Sequence, residues 1–312
     1  MTGAPVPGGA DCVVMVEHAI AQQGRVRLAE GRVAQSGENI VPEGAEARLG
    51  EALVAAGTRM AAAEIAAAAS AGCASPLVFA RPRVAIIPTG DELVELDQPP
   101  LPHQIRNSNS YALAAQVAAA GGEPVRLPIA GDSLEVLLGA IRSARGCDLM
   151  LLSGGVSMGK YDLVEEALVS LGADFFFTGV RMQPGKPVVF GRLPASPDHA
   201  ALYFFGLPGN PVSTQVTFRL FARPLLEALC GAAVLPPPFV QATLSMPVQA
   251  KPGLTRFLPG FINHDLLRPA VSLVQWQGSG DQAAHARANC YLVIPPDAEQ
   301  IAPGSIVTVL LR

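Results

Sequence analysis

The sequence predicts an α/β protein in which a three-layer, mostly parallel sheet domain lies between an N-terminal partial β domain and a small C-terminal β domain. Between residues 81 and 231, short apolar runs of strand length alternate with segments whose apolar residues recur every three to four positions. Strands separated by helices of about 10 to 15 residues are typical of a parallel sheet with helices on both faces. Outside this region the apolar runs are short and lie among Gly and Pro, which favours β structure.

Each element follows from its local pattern. The continuous apolar run Leu149–Leu152 has the length of a buried strand, and Tyr161–Leu171 has the apolar spacing of a helix. The predicted strands are Val84–Ile87, Val125–Ile129, Leu149–Leu152, Phe175–Val180, Val188–Phe190 and Leu202–Phe205. The predicted helices are Ser110–Ala120, Leu134–Ser143, Tyr161–Leu171 and Val212–Leu229.

Composition shifts divide the chain into four parts. Residues 1–52 are predicted to form the partial β domain, and residues 53–80 a helical connector whose alanine-rich tract Val54–Gly72 is one helix. Residues 81–231 form the α/β domain. Pro236–Pro238 marks a linker, and residues 236–312 form the C-terminal β domain, with strands expected at Tyr291–Ile294 and Ile306–Leu311.

Composition and charge exclude several classes of protein. Of the 312 residues 50% are hydrophobic and 15% are charged, and the formal net charge is −4, so no overall basic field favours nucleic acid or anionic lipid. The five cysteines include no CxxC pair, so neither a zinc site nor a disulfide framework is indicated. Arg59 and Glu64 interrupt the longest apolar tract, so we expect no membrane span, and without a signal-peptide pattern we expect a cytoplasmic protein.

Three glycine-rich segments follow or precede apolar runs: Ser153–Asp162, Pro184–Pro187 and Gly206–Ser213. Any one of them could be an ordinary strand-to-helix connection, but three together favour a cradle for an anion. Glycines at 154, 155 and 159 are expected to let backbone N–H groups point into one concavity, beside the positive end of a helix. Ser213 is expected to cap the helix that follows the third segment.

Carboxylates collect at the same element boundaries. Asp91 and Glu92 follow the first strand of the α/β domain, and Asp132 follows a later connection. Acids beside a phosphate site repel the ligand unless a divalent cation lies between them, so Mg²⁺ is the expected bridge. Asp162 also fits this role; the less favoured alternative is an acid in the first turn of a helix that is stabilised by the helix dipole.

These segments carry a resemblance to a known family. PTGDEL, NSNSYAL, SGGVSMGKYD, PGKP and GLPGNPVS occur in the order and spacing typical of the molybdopterin molybdenumtransferase family, which includes MoeA and the E domain of gephyrin. The likeness extends from MTGAPVPGGADCVVMVE at the start to LTRF and QGSG near the end. It implies that residues 81–231 bind molybdopterin.

The resemblance also implies a reaction. Adenylylated molybdopterin and molybdate are the implied substrates, Mg²⁺ is the implied cofactor, and molybdenum is inserted while AMP is released by hydrolysis. Carried over position by position, the catalytic residues are Asp162, Glu92, Asp132 and Lys186; the metal ligands are Asp162 and Asp91; and the molybdate pocket is Lys186, Pro187, Arg256 and Ser279. The implied substrate-binding residues are Thr89, Gly90, Asp91, Ser108, Asn109, Ser153, Gly154, Gly155, Ser157, Pro208, Gly209, Asn210 and Ser213.

The resemblance is incomplete in two respects. Many family members carry a second lysine where Gln183 stands, so one positive charge is missing from the oxyanion pocket. Members usually begin well upstream of Thr2, with a region that makes the homodimer, so we expect a longer native product. The resemblance further implies a molybdopterin adenylyltransferase as partner. A catalytically weak binding or scaffold protein is the alternative function, and a sibling adenylyltransferase is the weakest candidate because it leaves both flanking domains unexplained.

Overall fold

The computed structural model describes residues 3–155, 163–233, 236–263 and 265–312. The chain divides into two compact units, Met1–Pro76 and Leu77–Arg312.

The first unit contains little regular structure. Its elements are a 3-10 turn (Val16–His18), an antiparallel hairpin of β1 (Ala19–Gln22) and β2 (Arg25–Leu28), and the helix α1 (Ala62–Ser70). The predicted helix over Val54–Gly72 is therefore wrong for its first part. Gly57 has φ +84° and Thr58 N donates to Ala55 O in a turn, which ends any helix before α1 begins.

The second unit begins with the α/β region. Its strands are β3 (Arg83–Pro88), β4 (Leu93–Val94), β5 (Ile105–Arg106), β6 (Glu123–Arg126), β7 (Leu149–Ser153), β8 (Asp174–Thr178), β9 (Met182–Gln183), β10 (Val189–Leu193) and β11 (Leu202–Leu207). Its helices are α2 (Asn109–Ala119), α3 (Leu134–Ser143), α4 (Leu163–Ser170), α5 (Pro211–Thr217) and α6 (Arg223–Leu229), with a π-helical turn at Phe218–Ala222 between the last two.

A mixed but mostly parallel six-stranded sheet forms the middle layer, in the order β6-β3-β7-β11-β10-β8. The first four strands are parallel, and β10 runs antiparallel to both of its neighbours. The cores of the strands β3 and β7 are continuous apolar runs, as expected of strands whose sheet is covered on both faces: α3 and α4 pack on one face, and α2, the π-helical turn and α6 on the other. The predicted fold class is confirmed.

Two prolines explain where elements differ from their predicted form. The strand expected at Val125–Ile129 is observed as β6, which ends earlier; Leu127 N still donates to Ile86 O, but Pro88 in β3 has no N–H with which to bond back to Leu127 and extend the ladder. The single helix expected over Val212–Leu229 is interrupted by the π-helical turn, which immediately precedes Pro224 in the first turn of α6.

The C-terminal region contains more strands than the sequence indicated. Its elements are β12 (Phe239–Leu244), β13 (Val248–Gln249), β14 (Thr255–Ile262), β15 (Ala270–Leu273), α7 (Gln282–Arg287), β16 (Cys290–Ile294), β17 (Gln300–Ile301) and β18 (Ile306–Leu311). The two predicted strands are confirmed as β16 and β18. Because β15 pairs with both β12 and β14, the strands β15, β12, β18, β16 and β14 close into a ring.

The two regions of the second unit share a sheet and a core. The short strand β9, which lies in sequence between β8 and β10, adds to the C-terminal sheet beside β14. A buried cluster joins them, with Met182, Val212 and Val216 from the α/β region and Phe257, Tyr291 and Leu310 from the C-terminal region. Loops of the two regions are thereby held next to each other.

Candidate functional site

Four loops meet at one edge of the central sheet. The strands β3, β7 and β11 are parallel, so their carboxyl ends lie at the same edge. Val189, at the start of the antiparallel strand β10, pairs with Gly206 near the end of β11, so the turn before β10 reaches this edge as well. The loops are residues 89–92, 154–155, 184–187 and 208–210.

The loop after β3 is tightly folded. Thr89 N donates to Ser153 O at 3.0 Å, and Gly90 N donates to Ala130 O at 3.0 Å. Gly90 has φ +135°, and the Glu92 carboxylate lies over its Cα so closely that a Cβ at position 90 would collide with it. Only glycine therefore lets the Glu92 side chain fold back over this loop.

The loops after β7 and β11 interlock through glycine and Asn109. Gly154 N donates to Leu207 O at 3.1 Å, and an added Cβ on Gly154 would stand 2.6 Å from Thr89 O. Asn109 Nδ2 donates to Ser153 Oγ at 3.0 Å and to Gly209 O at 2.7 Å. Its Oδ1 is buried and, among the described residues, lacks a hydrogen-bond partner.

The backbone N–H groups of these loops do not all face open space, although the sequence had predicted that they would. The N–H of Gly154 is bonded within the sheet edge, so the expectation that it points into an open concavity is wrong; Gly159 lies outside the described residues. In the described part of the chain, the N–H groups of Gly155 and Gly209 have no backbone or side-chain partner, and both residues are exposed. An anion at this edge can therefore be bound by these two amides.

Beside this edge, the carboxylates of Asp91 and Asp132 each accept a hydrogen bond from the other residue's backbone N–H. Asp132 N donates to Asp91 Oδ1 at 2.9 Å, and Asp91 N donates to Asp132 Oδ2 at 3.4 Å. Each carboxylate keeps its second oxygen for a ligand. A pair of carboxylates together with substrate oxygens fits Mg²⁺, which is held by one or two acids and keeps other positions for water or phosphate. Among the described residues, no group of three or more His, Cys, Asp or Glu could hold a metal.

A cleft of about 310 Å³ is lined by the acids Glu92 and Asp132 and by Gly155 of the loop after β7. The predicted residues Asp162 and Ser157 lie outside the described residues. The flanking residues Gly155 and Leu163 both line the cleft. The other lining residues are Thr89, Gly90, Leu137 and Val164.

The turn before β10 carries Lys186. Its backbone is fixed, because Val180 N donates to Lys186 O at 2.9 Å and Val188 N donates to Gly185 O at 3.2 Å. Gly185 has φ +105° and lies against the Thr217 side chain, where a Cβ would collide. The Lys186 side chain is exposed and the peptide bond before Pro184 is cis.

Arg256 lies directly beside the residue that leads into this turn. The parallel pairing of β9 with β14 sets Arg256 opposite Gln183. Arg256 Nη1 donates to Gln183 Oε1, while Nε and Nη2 donate to Lys251 O at 3.3 and 3.2 Å. Arg256 and the Lys186 turn, predicted from segments far apart in sequence, are thus adjacent.

The loop 277–280 of the C-terminal region is fastened to the same edge. Val212 N, at the start of α5, donates to Ser279 O at 3.0 Å, and Gln282 Nε2 donates to Ser108 Oγ at 2.7 Å. Asp281 accepts from Gln277 N at 3.0 Å and from Ala284 N at 2.9 Å, and these backbone bonds lower the pKa of Asp281. Hydrogen bonds therefore hold this loop both to the α/β region and to the start of α7.

A buried polar pair lies behind this loop. His285, on α7, is 2% exposed, and its Nε2 shares a hydrogen bond of 2.6 Å with the Tyr291 hydroxyl. Burial lowers the pKa of His285 from 6.5 to about 4, and the nearby Arg312 acts in the same direction. Burial also raises the pKa of Tyr291 to about 12. Both side chains are neutral over a wide pH range.

Three family models match the chain over most of its length. Residues 1–72 match the MoeA N-terminal region (domain I and II), residues 85–228 match a probable molybdopterin binding domain, and residues 241–311 match the MoeA C-terminal region (domain IV). The molybdopterin molybdenumtransferase of Bacillus subtilis is 33% identical over 325 residues, which cover 100% of this chain and 72% of that protein. The chain belongs to the MoeA family of molybdopterin molybdenumtransferases.

Other MoeA proteins support this membership. Molybdopterin molybdenumtransferase 2 of Mycobacterium tuberculosis is 36% identical, over 99% of this chain and 75% of its own length. Two solved MoeA structures from Pyrococcus horikoshii superpose with a TM-score of 0.76 at 29% and 25% identity, covering 99% and 100% of this chain and 74% of each of theirs. The chain is thus a transferase of molybdenum cofactor biosynthesis. None of its described helices has the length and apolarity needed to cross a membrane.

Most of the predicted MoeA site residues that are described lie together at this edge, but one has a different local role. Ser213 is buried inside α5, which begins at Pro211, so the prediction that Ser213 caps this helix is wrong; Asn210 holds the cap position. Asn210 O instead accepts from Thr214 Oγ1 at 3.1 Å. The predicted residues at the edge are Thr89, Gly90, Asp91, Glu92, Asn109, Asp132, Ser153, Gly154, Gly155, Lys186, Pro187, Pro208 and Gly209, with Ser108, Arg256 and Ser279 at the junction with the C-terminal region.

Sequence reasoning missed the residues that hold the junction together. Asp281 and Gln282 were not predicted, although an acid immediately before the helical run QAAHAR is a recognisable N-cap signal. The Gln282 contact with Ser108 joins residues 174 positions apart, and no local pattern indicates such a pair.

Proposed function

We propose that the chain inserts molybdenum from molybdate into adenylylated molybdopterin and releases AMP by hydrolysis. The observation that carries the proposal is the β9–β14 pairing, which sets Arg256 beside the turn that bears Lys186. Molybdate is a dianion, and it needs fixed positive charge and hydrogen-bond donors. The same edge of the sheet holds the glycine loops and acids suited to a phosphate ester.

The glycine loops bind the pyrophosphate link of the substrate. Gly155 and Gly209 supply amide N–H groups, and Asn109 holds the two loops in register through its bonds to Ser153 and Gly209. Gly90 allows the close approach of the Glu92 carboxylate, and Gly154 that of the Thr89 backbone, which a Cβ would prevent. The substrate is thereby oriented with its sulfur-bearing end toward the junction with the C-terminal region.

Arg256 and Lys186 hold molybdate at that junction. Arg256 is a fixed donor whose orientation is set by Gln183 and the Lys251 carbonyl, and Lys186 supplies a second charge from a rigid turn. Pro187 and Ser279 complete the pocket. The fixed Arg256 guanidinium and the Lys186 amine together stabilise the negative charge that the oxyanion carries as it is transferred.

Asp91 and Asp132 would hold Mg²⁺, and Glu92 and Asp162 are the further acids assigned to the site. When bound, the cation would offset the repulsion between acids and phosphate and act as a Lewis acid on the phosphate. Asp162 is assigned the role of orienting the attacking water. Asp132 and Asp91 hold each other in place, so neither needs to be ordered by the substrate.

The proposal includes a cellular setting, which the resemblance to the family supports. The enzyme works in the cytoplasm as a homodimer, and a molybdopterin adenylyltransferase supplies its adenylylated substrate.

An assay of AMP release tests the proposal. The protein is incubated with adenylylated molybdopterin and Mg²⁺, with and without molybdate, and AMP is followed by chromatography. Release that depends on molybdate supports the proposal. Tight binding of the substrate without release would instead identify a binding or scaffold protein, and consumption of ATP with free molybdopterin would identify an adenylyltransferase.

A further inference from the structure

Gln183 faces Arg256 because of backbone register. Met182 is 4% exposed and is anchored in the cluster that joins the two regions of the second unit. Side chains alternate along a strand, so burial of Met182 turns Gln183 to the opposite, exposed face. In the parallel ladder Gln183 and Arg256 are Cα partners, and partners on neighbouring strands lie on the same face.

The contacts of the Arg256 guanidinium leave a defined pair of donors. Nη1 donates to Gln183 Oε1, and Nε and Nη2 both donate to Lys251 O. These bonds use one hydrogen on each nitrogen, so one hydrogen remains on each terminal nitrogen. A tetrahedral oxyanion presents neighbouring oxygens that can accept both.

The charge of Arg256 is not cancelled by its partners. Both acceptors are neutral amide oxygens, and in the described part of the chain no carboxylate lies within ion-pair distance of Arg256. A carboxylate at position 183 would hold the guanidinium equally well but would oppose a dianion. A neutral acceptor therefore fixes the direction of the donors and keeps the full positive charge available.

We propose that Gln183 is a positioning residue for the oxyanion: its Oε1 aims the Arg256 guanidinium at molybdate, and its amide does not bind the anion. This inference rests on the function proposed for the site. It predicts that loss of the acceptor raises the molybdate concentration needed for half-maximal activity and leaves kcat at saturating molybdate unchanged, because the anion, once bound, reacts from the same position.

The test compares Gln183→Met, which has a similar length but no acceptor, with Gln183→Glu, which keeps an acceptor and adds negative charge. Half-saturating molybdate is expected to rise about fivefold for the first variant and more for the second, with kcat within twofold, since roughly 1 kcal/mol corresponds to fivefold. Gln241→Met is the matched control, because Gln241 is exposed on the same sheet and its side-chain amide donates to Thr308 Oγ1. It is expected to leave half-saturation unchanged.

A double-mutant cycle decides whether Gln183 acts through Arg256. In an Arg256→Met background, Gln183→Met is expected to have no further effect on molybdate half-saturation. An equal effect in both backgrounds would show that Gln183 acts independently and would overturn the inference, as would a Gln183→Met enzyme with unchanged half-saturation. If the unmodified enzyme releases AMP without any dependence on molybdate, the proposed function fails first and the inference with it.

Discussion

The side chain of Asn109 is bonded to the carbonyl oxygen of Gly209, a hundred residues further along the chain, at 2.7 Å. The same Nδ2 atom also donates to Ser153 Oγ at 3.0 Å, so one amide group ties the loops after β7 and β11 to the start of α2. These loops touch closely, because a Cβ on Gly209 would stand 3.6 Å from the Gly154 Cα. The spacing of the loops therefore depends on Asn109.

Asn109→Ala is expected to raise KM for adenylylated molybdopterin roughly tenfold, because about 1.4 kcal/mol of lost loop positioning corresponds to a factor of ten. KM is measured by AMP release at saturating molybdate. Gln116→Ala is the control, since Gln116 lies on the same helix and also donates to a backbone carbonyl, that of Gln215, away from these loops. An equal rise in KM for both variants would mean that the effect comes from α2 as a whole.

Gly154 and Gly139 are expected to respond in opposite ways to alanine. Gly154 has φ +106° and a Cβ there would press on Thr89, so Gly154→Ala is expected to lower the free energy of unfolding by about 2 kcal/mol or more and to abolish substrate binding. Gly139 lies in α3 with open space around it, so Gly139→Ala is expected to stabilise by about 0.5–1 kcal/mol. Denaturant unfolding measures both; a tolerated Gly154→Ala would refute the close approach.

Lys186→Ala is expected to raise the molybdate concentration for half-maximal AMP release about tenfold or more, because a cation beside a dianion is lost. Lys251→Ala is the matched control. The Lys251 side chain is exposed, and only its backbone carbonyl, which alanine retains, contacts Arg256. If both substitutions change the requirement equally, the effect is general surface charge, and the oxyanion does not lie beside Lys186.

Asp162→Asn is expected to lower AMP release by about a hundredfold or more while substrate affinity stays nearly unchanged, because the substitution removes a metal or water partner and no phosphate donor. Glu166→Gln, an exposed position on α4, controls for the loss of one acid near the cleft. Single-turnover AMP release and equilibrium binding of substrate are measured separately. Parallel loss of binding and release would contradict the assigned role.

The buried His285 is expected to make the fold sensitive to acid. Its pKa is about 4 in the folded chain and 6.5 when unfolded, so the unfolded state binds the proton first as pH falls. The stability that neutral His285 contributes is complete above pH 6.5 and is lost progressively toward pH 4, by up to about 3 kcal/mol.

Urea unfolding between pH 7 and pH 4 measures this slope, with His285→Gln as the comparison. The glutamine variant is less stable at pH 7 because the bond to Tyr291 is altered, but its stability falls less steeply. Identical slopes for the two proteins would show that His285 does not titrate in this range.

Local patterns predicted the α/β core well because its strands are buried on both faces. Runs such as Leu149–Leu152 have no alternative to a central parallel strand, and α3 is observed with the predicted bounds. The helix expected across Val54–Gly72 was wrong for its first part, since alanine content alone says nothing about the turn at Gly57. The short strand β9 was missed because two residues carry no periodicity, yet it aligns Gln183 with Arg256.

The sequence predicted which residues form the site better than it predicted the hydrogen bonds between them. The loops around Asp91, Gly154 and Gly209 follow strands, so their meeting at one edge follows from a parallel sheet. The hydrogen bond from Gly154 N to Leu207 O could not be predicted, because it depends on the register of β11 against β7. Contacts between the α/β and C-terminal regions, such as Ser108 with Gln282, depend on packing that no local pattern encodes.

Anomalous diffraction at the molybdenum edge, from crystals of the unmodified protein soaked in molybdate, tests the central claim most directly. The account predicts an anomalous peak between the Arg256 guanidinium and the Lys186 amine, lost in Arg256→Met crystals. A well-occupied peak elsewhere on the molecule, with none beside Arg256, would contradict it.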